Sequence, residues 1–574
     1  MRRMSVLIKS FLITIMAIAG VGVIGFFVYS VMVHFSPYNA TQIVAPAYAD
    51  ATPEPAQTPL PTLVSDAPQH TPEPTPAPTP APWELFRPYA TEATDPASVR
   101  GFRYYSRIEG ALYPIHFGLP DTYSYVRGVT TFRGNNFRDS AAYGTVTVTE
   151  YRLQERFQFR IGSCCHNRWT GVGWTGQPSI VQWCFEIQQL MNLYPEFRDN
   201  PYLVEVVYGT LDGNVYFFCL HSGEFTRPHI RVGVPIKGSI TLDPRGYPLL
   251  YAGQGDNPAG GRFGYYIFSL ICGSEIFFLN GNEAVAPRRW GAFDSNPLFD
   301  TANDRMILAG ENGVVYNFLL NTTFCRVEGT ISIYPQISRY WFQTGRRLGI
   351  ENSPSAFGHH LFFADNSGTI QCLDLRTFEP VWAFNAGDDT DSTMVLEWNA
   401  DQERLFIYTA TQVDLQGAGG YARIRKLDAV NGTEIWQYAI RCIYNTYVNG
   451  GVTASPILGQ GDISDLVIFW VAKTIGRGGS GALIAFDRAT GEIAWENNYP
   501  AWGWSSPTAV YTYDGTSFII LSDSVGNMRL LRGKTGEELY RINLGANIEA
   551  SPAIFGNTLI VGTRGQRIFG IDIL

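Results

Sequence analysis

The feature that most constrains the fold is a stretch of short apolar runs that recurs along the chain. It is clearest from Gly451 to Trp495, GGVTASPILGQGDISDLVIFWVAKTIGRGGSGALIAFDRATGEIAW. Ser455-Pro456 opens the first run, Leu466–Ala472 and Gly481–Phe486 form the next two, and Trp495 lies in the fourth. Because Gly, Asp and Pro separate the runs, the pattern predicts a four-stranded antiparallel meander. A lone sheet of this kind leaves both faces uncovered, which indicates one unit of an array.

The second run of each unit marks the register of the repeat, because it ends in small residues before a turn. These runs are VVYGTLDG at Val206, LLYAGQGD at Leu249, MILAGENG at Met306, LFFADNSG at Leu361, LFIYTATQ at Leu405, VIFWVAKT at Val467, FIILSDSVG at Phe518 and LIVGTRGQ at Leu559. The first runs appear as GQPSI, SNPLF, NSPSA, ASPIL, SSPTA and ASPAI. The repetition predicts an array of eight such units.

The eighth unit lacks a fourth run, because the sequence ends with RIFGIDIL at Leu574. An equivalent run precedes the first unit: ERFQFRI from Glu155 matches EIWQYAI from Glu434, which places Phe157 over Trp436. A strand that completes the last sheet from there would close a ring and remove an open edge. We therefore expect an all-β fold, an eight-bladed β-propeller of four-stranded antiparallel blades closed by an N-terminal strand. An open solenoid is the alternative.

The N-terminal residues predict a membrane anchor. Residues 11–33 carry no charge and follow Arg2, Arg3 and Lys9. A run of this length spans a hydrocarbon core of about 30 Å, and the flanking positive charges place residues 1–10 in the cytoplasm. A cleaved signal peptide is the alternative, because residues 47–49 have the A-x-A form. We expect one transmembrane helix in the cell membrane, with the remaining chain outside the cytoplasm.

Two segments separate this anchor from the repeats. Residues 34–83 are rich in Pro and Thr and end in TPEPTPAPTPAP, which predicts an extended, polyproline-like stalk. Residues 84–150 are interpreted as an ordered lead-in to a propeller of residues 151–574. This lead-in contains TTFRGNNFRDSAAYGT, in which Arg133 and Arg138 are available to pair with carboxylates or carbonyls of the propeller.

Charge and motifs exclude several classes of function. The net charge is −9 and no long basic run occurs, so nucleic acid is not expected as a partner. The G-x-S-x-G, H-E-x-x-H and P-loop motifs do not occur, which leaves hydrolase, zinc-protease and nucleotide-binding interpretations without support. A glycosidase pair of carboxylates needs no sequence motif and stays open.

The repeat resembles that of the pyrroloquinoline-quinone (PQQ)-like β-propellers. Turns such as KLDAVNGTEIW and AFDRATGEIAW carry this resemblance together with the FRGNN stretch, from about Thr130 to Leu574. The superfamily holds quinoprotein alcohol dehydrogenases and a non-enzymatic lipoprotein of outer-membrane β-barrel assembly. The sequence looks most similar to membrane-anchored "PQQ-binding-like β-propeller repeat" proteins of Gram-positive anaerobes. The stretches that carry this similarity are WTGVGWTGQP, RGYPLLYAGQG, WGAFDSNP, GIENSP, GDDTDST, VNGGVTASP and NIEASP.

The resemblance implies a structural role for three tryptophans. Trp382, Trp436 and Trp495 resemble the docking tryptophans that pack between adjacent blades of such propellers. An indole is large enough to bury a wide apolar area in the layer between two sheets. We expect these residues to hold neighbouring blades together.

The resemblance also raises the alternative of a quinone enzyme. Cys164-Cys165 is a vicinal pair, and quinoprotein alcohol dehydrogenases place a vicinal disulfide against the quinone. AGQGDN loosely resembles the GTGN turn that supplies a calcium ligand there, which would be Asn257, but it departs from the pattern at Gln254 and Asp256. No C-x-x-C-H haem motif occurs. We expect no cofactor, with PQQ and calcium as the alternative.

Two clusters have residue types that bind metals. Asp388, Asp389 and Asp391 could hold a hard cation through oxygen ligands. Their spacing is not that of an EF-hand, and a solvated turn capped by its own aspartates is the other interpretation. His359 and His360 lie in a turn, where exposed histidines are the alternative to a metal site.

The loops between units indicate a binding surface. They carry Trp174, Trp290, Asp294 and Trp504, and mixtures of aromatic and acidic side chains suit a protein or sugar partner. The other interpretation is that these residues fill the channel or pack the blades. We expect a non-enzymatic scaffold that binds an envelope protein or a cell-wall polymer. A quinoprotein-like oxidoreductase and a metal- or sugar-binding sensor are the alternatives.

Overall fold

The computed structural model describes residues 80–110, 114–165, 168–174, 176–258, 260–344, 348–445 and 448–574. The predicted anchor and most of the predicted stalk lie outside these residues. Within them, no helix has both the length and the apolar character that crossing a bilayer requires. The described residues, from Pro80 onward, belong to one compact unit, which the following paragraphs describe.

This unit contains eight blades, each built on a four-stranded antiparallel meander. In blades 1–4 the strands are Ser179–Gln182, Glu205–Gly209, Asn214–Cys219 and Ile230–Arg231; Thr241–Leu242, Leu249–Gly253, Gly264–Ser269 and Glu275–Asn280; Leu298–Asp300, Arg305–Ala309, Val314–Leu319 and Gln336–Gln343; Ser355–Phe357, His360–Ala364, Thr369–Asp374 and Glu379–Asn385. In blades 5–8 they are Val395–Asn399, Arg404–Ala410, Tyr421–Asp428 and Glu434–Arg441; Ile457–Leu458, Leu466–Ala472, Gly481–Asp487 and Ile493–Tyr499; Thr508–Tyr511, Ser517–Ser522, Asn527–Arg532 and Glu538–Asn543; Ala553–Phe555, Thr558–Thr563, Arg567–Ile573 and Leu153–Arg160. The eight-bladed propeller expected from the repeat is therefore confirmed.

The runs used to set the register are the second strands of the blades. Seven of these strands are buried at every position, and Arg404–Ala410 is exposed only at its first residue. Because each blade packs between two others, both faces of its second strand are covered. This explains why these runs are continuously apolar rather than alternating.

The fourth strand of blade 8 comes from the residues before blade 1. Leu153–Arg160 pairs antiparallel with Arg567–Ile573, and Phe157 lies opposite Gly570 beside a register shift. In sequence, these two paired strands lie at opposite ends of the propeller. Their pairing covers a strand edge that would otherwise be open to association.

Residues of the lead-in extend three blades instead of forming a separate layer. Arg103–Arg107 adds to blade 3, Arg127–Val129 to blade 1, and Ala142–Tyr143 to blade 8, the last in parallel. Three helices, Pro82–Leu85, Phe185–Gln188 and Pro195–Arg198, are each a single turn. The remaining strands form two small hairpins, Ser163–Cys164 with Trp169–Thr170 and Thr323–Cys325 with Thr330–Ser332.

Residues 130–141 of the lead-in form a plug among the inner strands. Backbone carbonyls of the plug accept hydrogen bonds from four blades, through the amides of Leu242, Ala356, Leu396 and Ile554. Gly134 makes the turn of the plug at φ 78°, and a Cβ there would lie 2.2 Å from the carbonyl oxygen of Ser140. Only glycine fits both demands.

Two buried arginines fasten the plug to further blades. Arg133 donates to the carbonyl oxygens of Pro507 and Pro456 at 2.9 and 2.8 Å. Arg138 donates to those of Pro354 and Asn296, both at 2.9 Å. Burial lowers the pKa of both guanidinium groups to about 10, which leaves them charged at neutral pH. Carboxylates or carbonyls were expected as partners of these arginines, and the structure has carbonyls.

Candidate functional site

A cavity of about 520 Å³ opens on the axis of the propeller. Its walls come from loops that join one blade to the next and from turns between second and third strands. The lining residues used below are Trp174, Arg288, Glu351, Asn366, Asp389, Asp391, Gln412, Thr453 and Trp504. A smaller space beneath it is lined by Asp294, Glu351 and Asp391, with Phe132 of the plug, which is 6% exposed. We call the two spaces together the funnel.

Successive blades contribute to the funnel the residue at one particular position of the repeat. It is the residue directly before the segments that begin the inner strands, such as SNPLF and NSPSA. In blades 2–8 this position holds Lys237, Asp294, Glu351, Asp391, Thr453, Trp504 and Glu549, which we call the axial ring. The ring places three consecutive carboxylates, from blades 3 to 5, around one space.

Hydrogen bonds between blades hold the axial ring in register. At six of the steps around the ring, the backbone N–H two residues after the axial-ring position donates to the side-chain oxygen at the same position of the next blade. These bonds join Gln177 to Ser239, Ser239 to Asn296, Asn296 to Ser353, Ser353 to Thr393, Ser455 to Ser506 and Ser506 to Ser551, at 2.8–3.3 Å. The small polar residues of the SNP, NSP and SSP segments therefore serve to fix the ring geometry.

The funnel is strongly acidic. Oxygens of Asp294, Glu311 and Glu351 lie within 4.8 Å of one another, and Asp389 and Asp391 add two more carboxylates. Two cations oppose them: the Nζ of Lys237 lies 3.9 Å from Asp294, and an Nη atom of Arg288 lies 3.4 Å from Glu311. Fully ionised, the five carboxylates therefore exceed these two cations.

Burial and mutual repulsion raise the pKa values of these carboxyl groups. Burial raises the pKa of Asp294 to about 6, with Lys237 opposing the shift and Glu351 adding to it. Burial, followed by Glu351, also raises the pKa values of Glu311 and Asp389. For Asp391, burial and then Asp389 act in the same direction. Such shifts mark carboxylates that lack enough positive charge around them.

Several polar atoms of the funnel lack hydrogen-bond partners among the described residues. Both carboxylate oxygens of Asp294 receive no hydrogen bond, and neither does the amide oxygen of Asn366. The indole N–H of Trp504 has no acceptor within the same part of the chain. Buried polar groups are normally satisfied, so these atoms indicate a site shaped for a polar ligand.

Aromatic rings form one side of the funnel. The rings of Trp174 and Trp504 meet edge to face at 5.7 Å, and Trp502 lies 5.3 Å from Trp504. Lys237 lies between two rings, with its Nζ 4.9 Å from Trp174 and 5.2 Å from Trp169. Trp174 has φ 57°, a conformation that non-glycine residues rarely adopt and that is often found at functional sites.

The structure brings together most of the predicted surface residues. Trp174, Trp504, Asp389 and Asp391 line the upper part of the funnel, and Asp294 lines the lower part. Trp290 does not line either space and packs edge to face on Phe263 at 5.3 Å. The predicted surface is therefore one axial funnel, with Trp290 beside it in a loop.

Asp388 differs from its two acidic neighbours. Its carboxylate accepts hydrogen bonds from the backbone amides of Asp414, Leu415 and Gln416, so it caps a turn of blade 5. Its side chain is completely buried. The three predicted metal ligands are thus divided, since only Asp389 and Asp391 line the cavity.

Sequence reasoning did not select four residues that shape the funnel: Lys237, Glu311, Glu351 and Asn366. Glu311 and Asn366 lie in turns between second and third strands, in MILAGENG and LFFADNSG, while Glu351 lies in GIENSP. Aligning the segments that begin the inner strands would have revealed Lys237 and Glu351, because both occupy the axial-ring position.

The expected docking residues all lie at seams between blades. Trp382 is fully buried and donates from its indole to the carbonyl of Ala429 at 2.9 Å. Trp436 makes the same type of bond to Arg488 at 3.1 Å, whereas the indole N–H of Trp495 has no partner among the described atoms. Each ring covers a glycine in a turn of the next blade: Gly432, Gly491 and Gly536, respectively.

Comparison with known proteins agrees with the repeat. Residues 479–574 match the family described as "Outer membrane protein assembly factor BamB". The PQQ-like character of the repeat is therefore shown for the part of the propeller from the third strand of blade 6 to the end of blade 8. No curated protein sequence matches the chain.

Solved structures with a similar chain include two propellers of different function. One is BamB from Moraxella catarrhalis, with 16% sequence identity, a TM-score of 0.45, and coverage of 73% of this chain and 98% of that one. Another is the quinohemoprotein alcohol dehydrogenase from Comamonas testosteroni, with 13% identity, a TM-score of 0.48, and coverage of 78% and 80%. Assembly and alcohol oxidation are properties of those proteins.

The residues that the resemblance offered for a quinone do not line the funnel. Cys164 and Cys165 lie in the small hairpin with their sulfur atoms 2.7 Å apart, and neither lines the funnel. Asn257 is exposed and does not line it either. The carboxylate and amide oxygens of the funnel suit a cation.

Proposed function

We propose that this protein is a non-enzymatic binding scaffold whose funnel receives a cationic group of its partner. The observation that carries the proposal is the cluster of three buried, under-compensated carboxylates, Asp294, Asp389 and Asp391, with half-buried Glu351, beside an aromatic wall. An ammonium or guanidinium group gains from both features, since carboxylates accept its hydrogen bonds and tryptophan rings attract cations.

The setting of this scaffold forms part of the same proposal. The sequence predicts that residues 11–33 anchor the chain in the cell membrane and that the propeller lies outside the cytoplasm. An envelope protein with exposed lysine or arginine side chains, or a cell-wall polymer with free amines, would present the required group there. Eight sets of loops on a rigid ring offer the surrounding contact surface.

Binding of an oligolysine peptide to the purified full-length protein tests the proposal. We expect salt-sensitive binding that is lost when the peptide is acetylated, because acetylation removes the charge. The variant Glu351→Gln/Asp391→Asn should bind at least about tenfold more weakly. The control variant Glu492→Gln/Asp514→Asn removes the same charge at exposed positions outside the funnel and should bind normally. Equal loss in both variants, or equal binding of acetylated peptide, would contradict the proposal.

The quinoprotein alternative is tested with the same preparations. PQQ and calcium are added to the full-length protein, and absorbance and dye-linked alcohol oxidation are recorded. Stoichiometric appearance of a chromophore with turnover would replace the scaffold by an oxidoreductase. Absence of uptake together with charge-dependent peptide binding would support the scaffold. Cell-wall fragments serve as a further competitor, which distinguishes a polymer partner from a protein partner.

A further inference from the structure

A second cluster of ligand-type side chains lies at the far end of blade 4 from the funnel. His359 lies in the turn between its first and second strands, His360 begins the second strand, and Asp374 ends the third. The turn that carries Asn366 into the funnel lies at the opposite end of the same strands. Donor atoms of the two imidazoles and the carboxylate lie within 4.8 Å of one another.

His360 is buried without an evident structural role for its ring nitrogen. It is 3% exposed, and its Nδ1 has no hydrogen-bond partner within the described part of the chain. The ring of His359 lies 4.0 Å from it, with a side chain 16% exposed. An unpartnered imidazole nitrogen is available as a metal ligand.

The carboxylate of Asp374 is held toward these rings. Its Oδ1 accepts from the backbone N–H of Arg376 at 2.8 Å, and its Oδ2 accepts from the guanidinium of the same residue at 3.0 Å. Oδ2 lies 3.8 Å from Nε2 of His359. Hydrogen bonds of this kind orient the carboxylate ligands of metal sites.

The composition of the cluster points to a transition metal. Calcium and magnesium depend on several carboxylate or carbonyl oxygens, whereas imidazole nitrogen suits zinc, copper, nickel and iron. The single carboxylate is shared with Arg376, and this weakens the attraction for a hard cation further. With metal–ligand bonds of about 2.0–2.2 Å, donors of one ion lie up to about 4.4 Å apart. Small side-chain rotations would therefore close the site.

We propose that His359, His360 and Asp374 bind a divalent transition metal of the zinc class, with a remaining position open to water. The site lies where the lead-in meets blade 4. The ring of Phe86 lies 5.3 Å from His360, and Phe117 and Gly358 exchange two backbone hydrogen bonds of 2.7 and 2.8 Å. The bound ion would hold the turn that these residues of the lead-in pack against.

Zinc titration of the chelator-treated, purified full-length protein tests this site. We expect one zinc ion to bind and to raise the melting temperature, with calcium unable to compete. Removing a ligand in His359→Ala or Asp374→Asn should weaken the zinc affinity by at least about 100-fold. This is the largest loss usually caused by mutating a residue that only orients a metal ligand. His221→Ala, which removes an exposed histidine of blade 1, should bind as the unaltered protein does.

Cobalt provides a readout that does not depend on stability. Cobalt bound by nitrogen and oxygen donors should give visible absorption bands in the unaltered protein and in His221→Ala, but not in His359→Ala. Proteolysis should also cut the lead-in between residues 82 and 117 more slowly when zinc is present. Unchanged affinity in both ligand variants, or no zinc binding at all, would overturn the proposal. Equal loss in His221→Ala would assign the binding to surface histidines and overturn it as well.

Discussion

The ring of Phe157 lies against Gly223, so that a Cβ added to this glycine would come 2.5 Å from the ring. Gly223 has φ 74° and lies in blade 1, whereas Phe157 belongs to the strand that completes blade 8. Trp382 covers Gly432 in the same way at the seam between blades 4 and 5. The seam between the last and first blades thus uses the docking contact of the three tryptophan seams, with phenylalanine in place of tryptophan.

Truncation of this contact should weaken the whole propeller. We expect Phe157→Ala to lower the free energy of unfolding by about 1–3 kcal/mol, below the 3–5 kcal/mol of a fully buried phenylalanine, because Phe157 is half-buried. Phe185→Ala, at a residue 42% exposed, should cost less than about 0.5 kcal/mol. Denaturant unfolding measures both values. A loss at Phe157 as small as that at Phe185 would contradict a role in the seam.

The three docking tryptophans should not be equivalent. Trp382 is fully buried and hydrogen-bonded, so Trp382→Ala should cost about 3–5 kcal/mol. Trp495 is half-buried, and its indole N–H lacks a partner among the described residues, so Trp495→Ala should cost about 1–3 kcal/mol. Trp382→Phe keeps an aromatic ring but removes the indole hydrogen bond, so this variant should cost about 1–2 kcal/mol. Equal losses at Trp382 and Trp495 in thermal or denaturant unfolding would refute this ranking.

The plug should be essential for stability through its arginines. Arg138→Leu removes a guanidinium that satisfies buried carbonyl oxygens of several segments. We expect a loss of at least about 3 kcal/mol, because these carbonyls would stay buried without donors. Arg152→Leu is the control, since the side chain of Arg152 is 39% exposed and pairs with Glu150 at the surface. Circular dichroism during urea unfolding measures the difference, and similar stability of the two variants would contradict it.

The repeat could be predicted from sequence because its signals are local. The second strands are continuously apolar, since neighbouring blades bury both of their faces, and glycine-containing turns separate them. The match of ERFQFRI to EIWQYAI placed Phe157 at a docking position, where the structure has it on Gly223. For the FRGNN segment, pairing of its arginines with carboxylates or carbonyls was predicted, but the particular carbonyls were not, because they are distant in sequence.

The funnel could be predicted only in part. Trp174, Trp504 and the acidic run before blade 5 stood out by composition, but Asp388 shares that composition and caps a turn instead. Trp290 resembled the other loop tryptophans and lies outside the funnel. Glu311 lies in a turn of blade 3 and Glu351 in the loop that enters blade 4, and they meet Asp294 only through the folding and packing of these two blades. The subgroup of Gram-positive anaerobes, the membrane anchor and the partner stay predictions.

The excess of negative charge in the funnel should make stability depend on pH. A carboxyl group whose pKa is raised by folding favours the folded state while it is protonated, and this contribution is lost as the pH rises through the raised value. For Asp294 the loss falls between the ordinary value of 3.8 and about 6. Burial and the neighbouring carboxylate of Glu351 act on Asp389 in the same direction.

Removal of one of these charges should therefore stabilise the protein and impair binding. We expect Asp389→Asn to raise the free energy of unfolding at pH 7 by about 0.5–2 kcal/mol, the usual range of stabilising substitutions. The gain should vanish below the ordinary aspartate pKa of 3.8, where both proteins are neutral at this position. Asp514→Asn should give no gain, because hydrogen bonds from Thr512 and Thr516 lower the pKa of exposed Asp514.

The same variant distinguishes a binding site from a merely tolerated cluster. If the funnel receives a cation, Asp389→Asn should bind the oligolysine peptide about tenfold more weakly while it unfolds at higher denaturant concentration. Unfolding curves at several pH values and peptide titrations measure the two effects on one preparation. Higher stability with unchanged peptide affinity would show that the carboxylates of Asp389 and Glu351 repel each other without forming a binding site for a cation.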